Sequence, residues 1–145
     1  MALMNKTIIW VHGDCLNPHQ TAFRLHPGAP AIYVWDDDLL LRRELSLKRI
    51  LFIYESLLEL PIAIRRGQVA EEILAAAEEH NRQTVVTARS VSPGFERICR
   101  QLRKYGVQVY IYEEEPFINL PQEPDLHRFS RYWKLAKRQL IQPTD

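Results

Sequence analysis

Two short apolar runs decide the fold class of this chain. Residues 7–12 read Thr-Ile-Ile-Trp-Val-His and residues 31–35 read Ala-Ile-Tyr-Val-Trp, and polar residues border both runs. A continuous β-branched and aromatic run of this length is typical of a strand that is buried on both of its faces. Strands of this kind occur in parallel sheets that helices cover on both sides.

Helical and extended patterns alternate along the rest of the chain. Further strands are predicted at 62–66, 84–87 and 107–112, and amphipathic helices at about 45–60, at 69–80 and after Ser92-Pro93. This order predicts an α/β fold: a five-stranded, doubly wound parallel sheet of the Rossmann or flavodoxin type, followed by a C-terminal helix.

The predicted helix 45–60 carries apolar side chains at spacings of three and four residues. These side chains are Ile50, Leu51, Tyr54, Leu57 and Leu58. Such spacing predicts that they form one buried face of the helix.

Composition and charge exclude several functional classes. The 145 residues suffice for one domain, and 46% hydrophobic with 26% charged residues is ordinary for a globular protein. A net charge of +1 gives no electrostatic footprint for nucleic acid, so direct DNA binding is not expected. No apolar run approaches the roughly 20 residues of a membrane span, and no signal peptide precedes the first strand. We therefore expect a cytoplasmic protein that does not enter a membrane.

The sequence divides into three parts. Residues 1–112 are predicted to form the α/β domain, 113–124 an extended linker with three prolines, and 125–145 a basic, amphipathic C-terminal helix. Five basic and two acidic side chains give this last part a charge of +3, which leaves −2 for the first 124 residues. An apolar stripe containing Phe129 and Trp133 predicts that helix 126–140 packs on its own domain, on a protein partner or on a second copy.

Ligands of doubly wound sheets bind beyond the carboxyl ends of the strands, which gives the candidate binding residues. These candidates are His12, Gly13, Asp14, Trp35, Asp36 and Arg89. Neither a Gly-x-Gly-x-x-Gly loop nor a Walker A loop is present. The segment His12-Gly13-Asp14 predicts either a contact to a polar ligand or a tight turn in which Asp14 caps the next segment.

No catalytic or metal-binding constellation emerges from the spacing of reactive side chains. The three acids of segment 36–38 resemble a cluster of divalent-metal ligands, but local hydrogen bonding at a strand end is the favoured interpretation. The five histidines are scattered, and Cys15 and Cys99 form neither a disulfide framework nor a catalytic pair. The residues alone therefore predict a flavodoxin- or Rossmann-like domain with an unidentified pocket, and an independent enzyme is not expected.

Several segments, in order, resemble the photolyase and cryptochrome family. Residues 52–60, Phe-Ile-Tyr-Glu-Ser-Leu-Leu-Glu-Leu, are similar to the family's Phe-Leu-x-Glu-Ser-Leu-x-x-Leu helix and are the most specific match. The other similar segments are 9–14 with Asn17-Pro18, 31–36, 65–74, Arg89 with Pro93, and 129–134. Residues 12–13 and 88–91 depart from the family pattern at two of the strand-end loops.

This resemblance implies the fold of the family's N-terminal, antenna-binding domain, without the flavin domain that performs the chemistry. It implies a cleft for a folate, deazaflavin or flavin antenna at the candidate residues, and no FAD. The expected function is a non-catalytic, photolyase-related domain that binds a partner protein or a small aromatic or nucleotide-like ligand. Two alternatives stay open: the N-terminal half of a split photolyase for DNA repair, completed in trans by a flavin domain, and a nucleotide-binding protein of the universal-stress type.

Overall fold

The computed structural model of the chain describes residues 6–42 and 44–114, which contain five strands and five helices. The strands are β1 (Thr7–Val11), β2 (Ala31–Trp35), β3 (Ala63–Arg66), β4 (Thr84–Ala88) and β5 (Gln108–Tyr112). The helices are α1 (Thr21–Leu25), α2 (Asp37–Arg42), α3 (Leu47–Leu58), α4 (Val69–Glu79) and α5 (Phe95–Lys104).

All five strands are parallel and lie in the order β3-β2-β1-β4-β5. The predicted α/β fold with a five-stranded parallel sheet is therefore confirmed. The order is that of the Rossmann type, because a flavodoxin-type sheet would place its third strand next to its first. β1 lies at the centre, with Ile9 paired to Ala31 on one side and Trp10 paired to Thr87 on the other.

Helices cover both faces of the sheet, and the side chains of β1 alternate between the two resulting cores. Ile8 and Trp10 join the core formed with α4 and α5, whereas Ile9 and Val11 join the core on the side of α3. Trp10 stacks on Phe95 at the start of α5, with ring centroids 5.5 Å apart. Each fully buried Ile or Val contributes roughly 1.5–3 kcal/mol through removal from water, so the five buried residues of β1 anchor both layers.

One side of α3 differs from the prediction. Ile53 and Leu57 are buried against the sheet, but Leu51, Tyr54 and Leu58 are exposed. The predicted single buried face is therefore wrong for these three residues. The apolar arc of α3 is wider than the contact that one helix makes with one sheet, so part of it faces outward.

The structure also differs from the prediction after β2, because the short helix α2 begins directly there and was not predicted.

Of the predicted linker 113–124, the first two residues belong to the compact unit, which ends at Glu114. The Glu114 carboxylate accepts a hydrogen bond from the backbone N–H of Thr21 at 2.9 Å. The rest of that linker and the predicted helix 126–140 lie outside the described residues. Among the described helices, none has the length and apolar character that a membrane crossing requires.

Candidate functional site

The carboxyl ends of β1, β2 and β4 surround a small cavity at the point where the strand order reverses. Its volume is about 80 Å³, which accommodates only two or three water molecules at roughly 30 Å³ each. Five of the six candidate residues line it, namely His12, Gly13, Asp14, Trp35 and Asp36. Rings from Trp10, Tyr33 and Phe95 complete the wall. The site therefore combines aromatic walls with a polar rim.

His12 is held in one orientation by two backbone groups. Its Nε2 donates to the carbonyl of Ala88 at 2.7 Å, and its Nδ1 accepts from the backbone N–H of Asp14 at 3.3 Å. The His12 ring also meets Trp10 and Phe95 edge-on, with centroids 5.6 and 5.7 Å away. This pattern of bonds corresponds to a neutral imidazole that supports the cavity wall rather than accepting a proton from a substrate.

Asp14 joins the loops that follow β1 and β4. Its Oδ2 accepts a hydrogen bond from the hydroxyl of Ser92 at 2.6 Å and another from the hydroxyl of Ser90. The side chain therefore bridges two loops beside the cavity. The sequence pointed to the strand-end segment 88–92 that contains both serines, but neither serine was among the six candidate residues.

Asp36 uses both of its oxygens to start helices. Oδ1 accepts from the backbone N–H groups of Asp38 and Leu39 at 3.1 and 3.2 Å, and Oδ2 accepts from that of Val69 at 3.3 Å. Asp37 turns away to pair with Arg66, and this guanidinium holds the pKa of the Asp37 carboxyl below its usual range. The interpretation of segment 36–38 as local hydrogen bonding thus agrees with the geometry. Within the described residues, no three acids, histidines or cysteines converge on a metal site.

Arg89, the sixth candidate, does not line the cavity. Its Nε donates to Glu113 at 2.8 Å and its Nη1 to Glu96 at 3.0 Å. These carboxylates raise the pKa of the Arg89 guanidinium. The side chain therefore fastens the start of α5 to the end of β5.

The cysteines offer no activated nucleophile. Burial raises the pKa of the half-buried Cys15 thiol and raises that of Cys99 to about 11. Both groups are therefore thiols at neutral pH, whereas a nucleophilic cysteine needs a lowered pKa. At the cavity, the described hydroxyls of Ser90 and Ser92 donate to the carboxylate of Asp14, which joins the two loops.

A wider cleft of about 620 Å³ adjoins the cavity and was not predicted. It shares Asp36, Leu39, Val69 and Ile98 with the cavity. Four basic side chains line it, namely Arg42, Arg97, Arg100 and Lys104, together with the acid Asp38. Within residues 6–42 and 44–114, none of these four forms an ion pair, whereas Arg65, Arg66 and Arg89 each do.

No protein-family model and no curated protein matches the chain. The cavity and the basic cleft beside it are therefore the features that bear on its function.

Proposed function

We propose that this chain is a non-catalytic, photolyase- and cryptochrome-related cytoplasmic domain. It binds a small aromatic ligand with an anionic tail, of the folate, deazaflavin or flavin class. The observation that carries the proposal is the shared wall between an aromatic cavity at the strand ends and a basic cleft, formed by Asp36, Leu39, Val69 and Ile98. One ligand that crosses this wall meets ring surfaces at one end and cations at the other.

The aromatic end of the ligand enters between the loops that Asp14 holds together. A volume of about 80 Å³ is below the roughly 300 Å³ of an ordinary ligand pocket, so these loops must part. The bonds of Asp14 to Ser90 and Ser92 are exposed, so water can replace them when the loops part, which keeps the cost of opening low. Stacking against the rings of Trp10, Tyr33 and Phe95 offsets that cost.

The anionic end lies in the basic cleft. Four cations against the acids Asp36 and Asp38 give the lining a net charge of +2. Both oxygens of Asp36 already accept hydrogen bonds from backbone N–H groups. Asp38 is then the one acid of the described cleft lining that can still bond to its four basic side chains. A phosphate or a carboxylate tail supplies that partner through charge-assisted hydrogen bonds.

The test begins with the visible absorbance of the purified protein and continues with titrations followed by tryptophan fluorescence. Trp10 and Trp35 line the cavity and report directly on a ligand that stacks there. Riboflavin and FMN share one ring system and differ in the phosphate, so their affinities separate the two halves of the site. We expect FMN to bind roughly tenfold or more tightly than riboflavin, from charge-assisted bonds of about 1.5–3 kcal/mol.

Two variants assign this binding to its residues. A Cβ at Gly13 would make ordinary contact with Ile53 at 3.7 Å, so Gly13→Leu extends a side chain from the cavity wall, and we expect it to remove binding of both flavins while circular dichroism verifies that the fold is kept. Arg97→Gln with Arg100→Gln removes only the preference for FMN. Val91→Leu, an exposed position outside the cavity, is the matched control. Unchanged tryptophan fluorescence with FMN, riboflavin and folate would contradict the proposal, as would quenching that survives Gly13→Leu.

The same assays address the two alternatives drawn from the sequence. A preference for ATP over FMN in the titration would favour a universal-stress-type nucleotide-binding protein. Repair of pyrimidine dimers under blue light after addition of a separate flavin domain would favour a split photolyase.

A further inference from the structure

Exposed apolar side chains gather on the side of the molecule formed by α2, α3 and β3. The large exposed apolar side chains of these three elements, apart from Phe52 on another face of α3, are Leu41, Leu47, Leu51, Tyr54, Leu58 and Ile64. Leu47 is 81% exposed and Leu58 is 63% exposed. Leu47, Leu51 and Tyr54 border one apolar cavity, and an exposed apolar surface of this kind marks an interaction site in a folded protein.

The spacing along α3 gives this surface a defined geometry. Leu47, Leu51, Tyr54 and Leu58 follow one another at four, three and four residues, which is the spacing of a coiled-coil seam. The seam lies apart from the buried side chains Ile53 and Leu57. An apolar cavity of about 410 Å³ beside it is bordered by Trp35, Leu40 and Ile50 as well as by seam residues.

The charges along one flank of the seam change sign from one end of α3 to the other. Lys48 follows Leu47 near the start of the helix, and Glu55 follows Tyr54 near its end. In an antiparallel pair of α3 helices, Leu47 lies opposite the partner's Leu58 and Leu51 opposite the partner's Tyr54. Lys48 then faces the partner's Glu55, and the two-fold axis repeats this ion pair. A surface that meets its own copy needs this kind of self-complementarity.

We propose that two copies of this chain form a homodimer by packing α3 against α3 in antiparallel orientation. The seam residues and Ile50 form the apolar centre of the interface. The two Lys48–Glu55 pairs fix the orientation of the helices.

Sedimentation equilibrium of the full chain at about 100 µM tests for the dimer, whose mass is twice the 17.1 kDa of one chain. Leu51→Glu places two carboxylates at the centre of the interface, and we expect a monomer with an unchanged circular dichroism spectrum. Leu25→Glu changes a leucine of nearly equal exposure on α1, 50% against 54%, and leaves the dimer intact.

Charge exchange identifies the partner as a second copy. Lys48→Glu and Glu55→Lys each create two like-charge contacts, and we expect each to weaken dimerisation on the order of tenfold. The double variant restores the pairs in reverse and returns the affinity toward that of the parent. We expect neither single change to destabilise α3 itself. Lys48→Glu places an acid near the start of the helix and Glu55→Lys places a base near its end, and both placements interact favourably with the helix dipole. The parent α3 has no acid in its first turn and no base in its last turn.

Three results would overturn the proposal. A parent chain that is monomeric at this concentration leaves the surface to another occupant, such as residues 115–145 or a different protein. A dimer that Leu51→Glu does not affect has its interface elsewhere. Single charge variants that weaken the dimer without rescue by the double variant exclude the antiparallel arrangement.

Discussion

The carboxylate of Asp36 accepts a hydrogen bond at 3.3 Å from the backbone N–H of Val69, the first residue of a helix that starts 33 residues further along the chain. Its other oxygen accepts two backbone N–H groups at the start of α2. One side chain at the end of β2 thus satisfies the exposed donors of two helix N-termini. It also forms part of the wall that the cavity and the basic cleft share.

Asp36→Ala removes both caps, and we expect it to lower the free energy of unfolding by about 1–3 kcal/mol, since one N-cap contributes typically about 1. Urea denaturation followed by circular dichroism measures the change. Asp38→Ala is the control, because it alters the neighbouring acid without removing a cap. Equal midpoints for Asp36→Ala and Asp38→Ala would show that the caps contribute nothing measurable.

At Gly67 the backbone and a neighbouring side chain together favour glycine. Its φ is 153°, and a Cβ there would lie 2.7 Å from Oε1 and 2.9 Å from Cγ of Glu72, which pairs with Arg65. Gly67→Ala should therefore cost roughly 1–3 kcal/mol of unfolding free energy through backbone strain. Gly13→Ala, where a Cβ makes only ordinary contact, should leave the urea midpoint unchanged. A Gly67→Ala variant as stable as the parent would refute this account.

Burial governs the reactivity of the two thiols. Because the pKa of Cys99 is about 11, its thiolate fraction at pH 7.5 is on the order of one in several thousand. In labelling with a thiol-specific disulfide reagent, we expect Cys15 to react slowly in the native protein and Cys99 to react only when urea unfolds the chain. Cys15→Ser should remove the native-state reaction entirely. Labelling of Cys99 within seconds in native buffer would contradict the described burial.

His26 makes stability depend on pH. Burial lowers its pKa below the ordinary 6.5, and its Nε2 lies 2.8 Å from the Tyr112 hydroxyl. Above pH 6.5 the ring is neutral in both states and its contribution is complete. As the pH falls below 6.5 the unfolded chain takes up the proton first, so stability declines until the folded pKa is passed.

Urea titrations between pH 7.5 and 5.5 measure that decline, which one histidine limits to about 1.4 kcal/mol per pH unit. His26→Gln should flatten the curve in this window. His19→Gln, a change at an exposed histidine, should leave the curve as in the parent. A slope that persists in His26→Gln assigns the effect to another group.

The strands were predictable because most of them are short apolar runs bordered by turn residues, and all five, including the edge strand Ala63–Arg66 with its two arginines, lie within one residue of their predicted bounds. The exposed side of α3 was not predictable in the same way. Spacing reveals that Leu51, Tyr54 and Leu58 share a face, but not whether the sheet or solvent meets that face. Only the strand order determines how much of a helix the sheet can cover.

The candidate site was predictable to the extent that it depends on topology. Five of six residues line one cavity because parallel strands end at a common edge. Arg89 lies elsewhere because Glu96 on α5 and Glu113 after β5 both come close enough to pair with it. The basic cleft was missed for a related reason: Arg42 and the cations of α5 meet only after α2 and α5 are placed.

The buried hydroxyl of Thr87 donates to the carbonyl of Trp10 at 2.8 Å across 77 residues of chain. Closing a loop of that length costs roughly 4 kcal/mol of chain entropy, so β1 gains its neighbour β4 only after many intervening residues are already ordered. On the ribosome, β1 and β2 emerge well before β4, which begins at Thr84. The central strand therefore spends part of synthesis with one unprotected edge, and that edge is where a nascent chain would recruit a chaperone or aggregate.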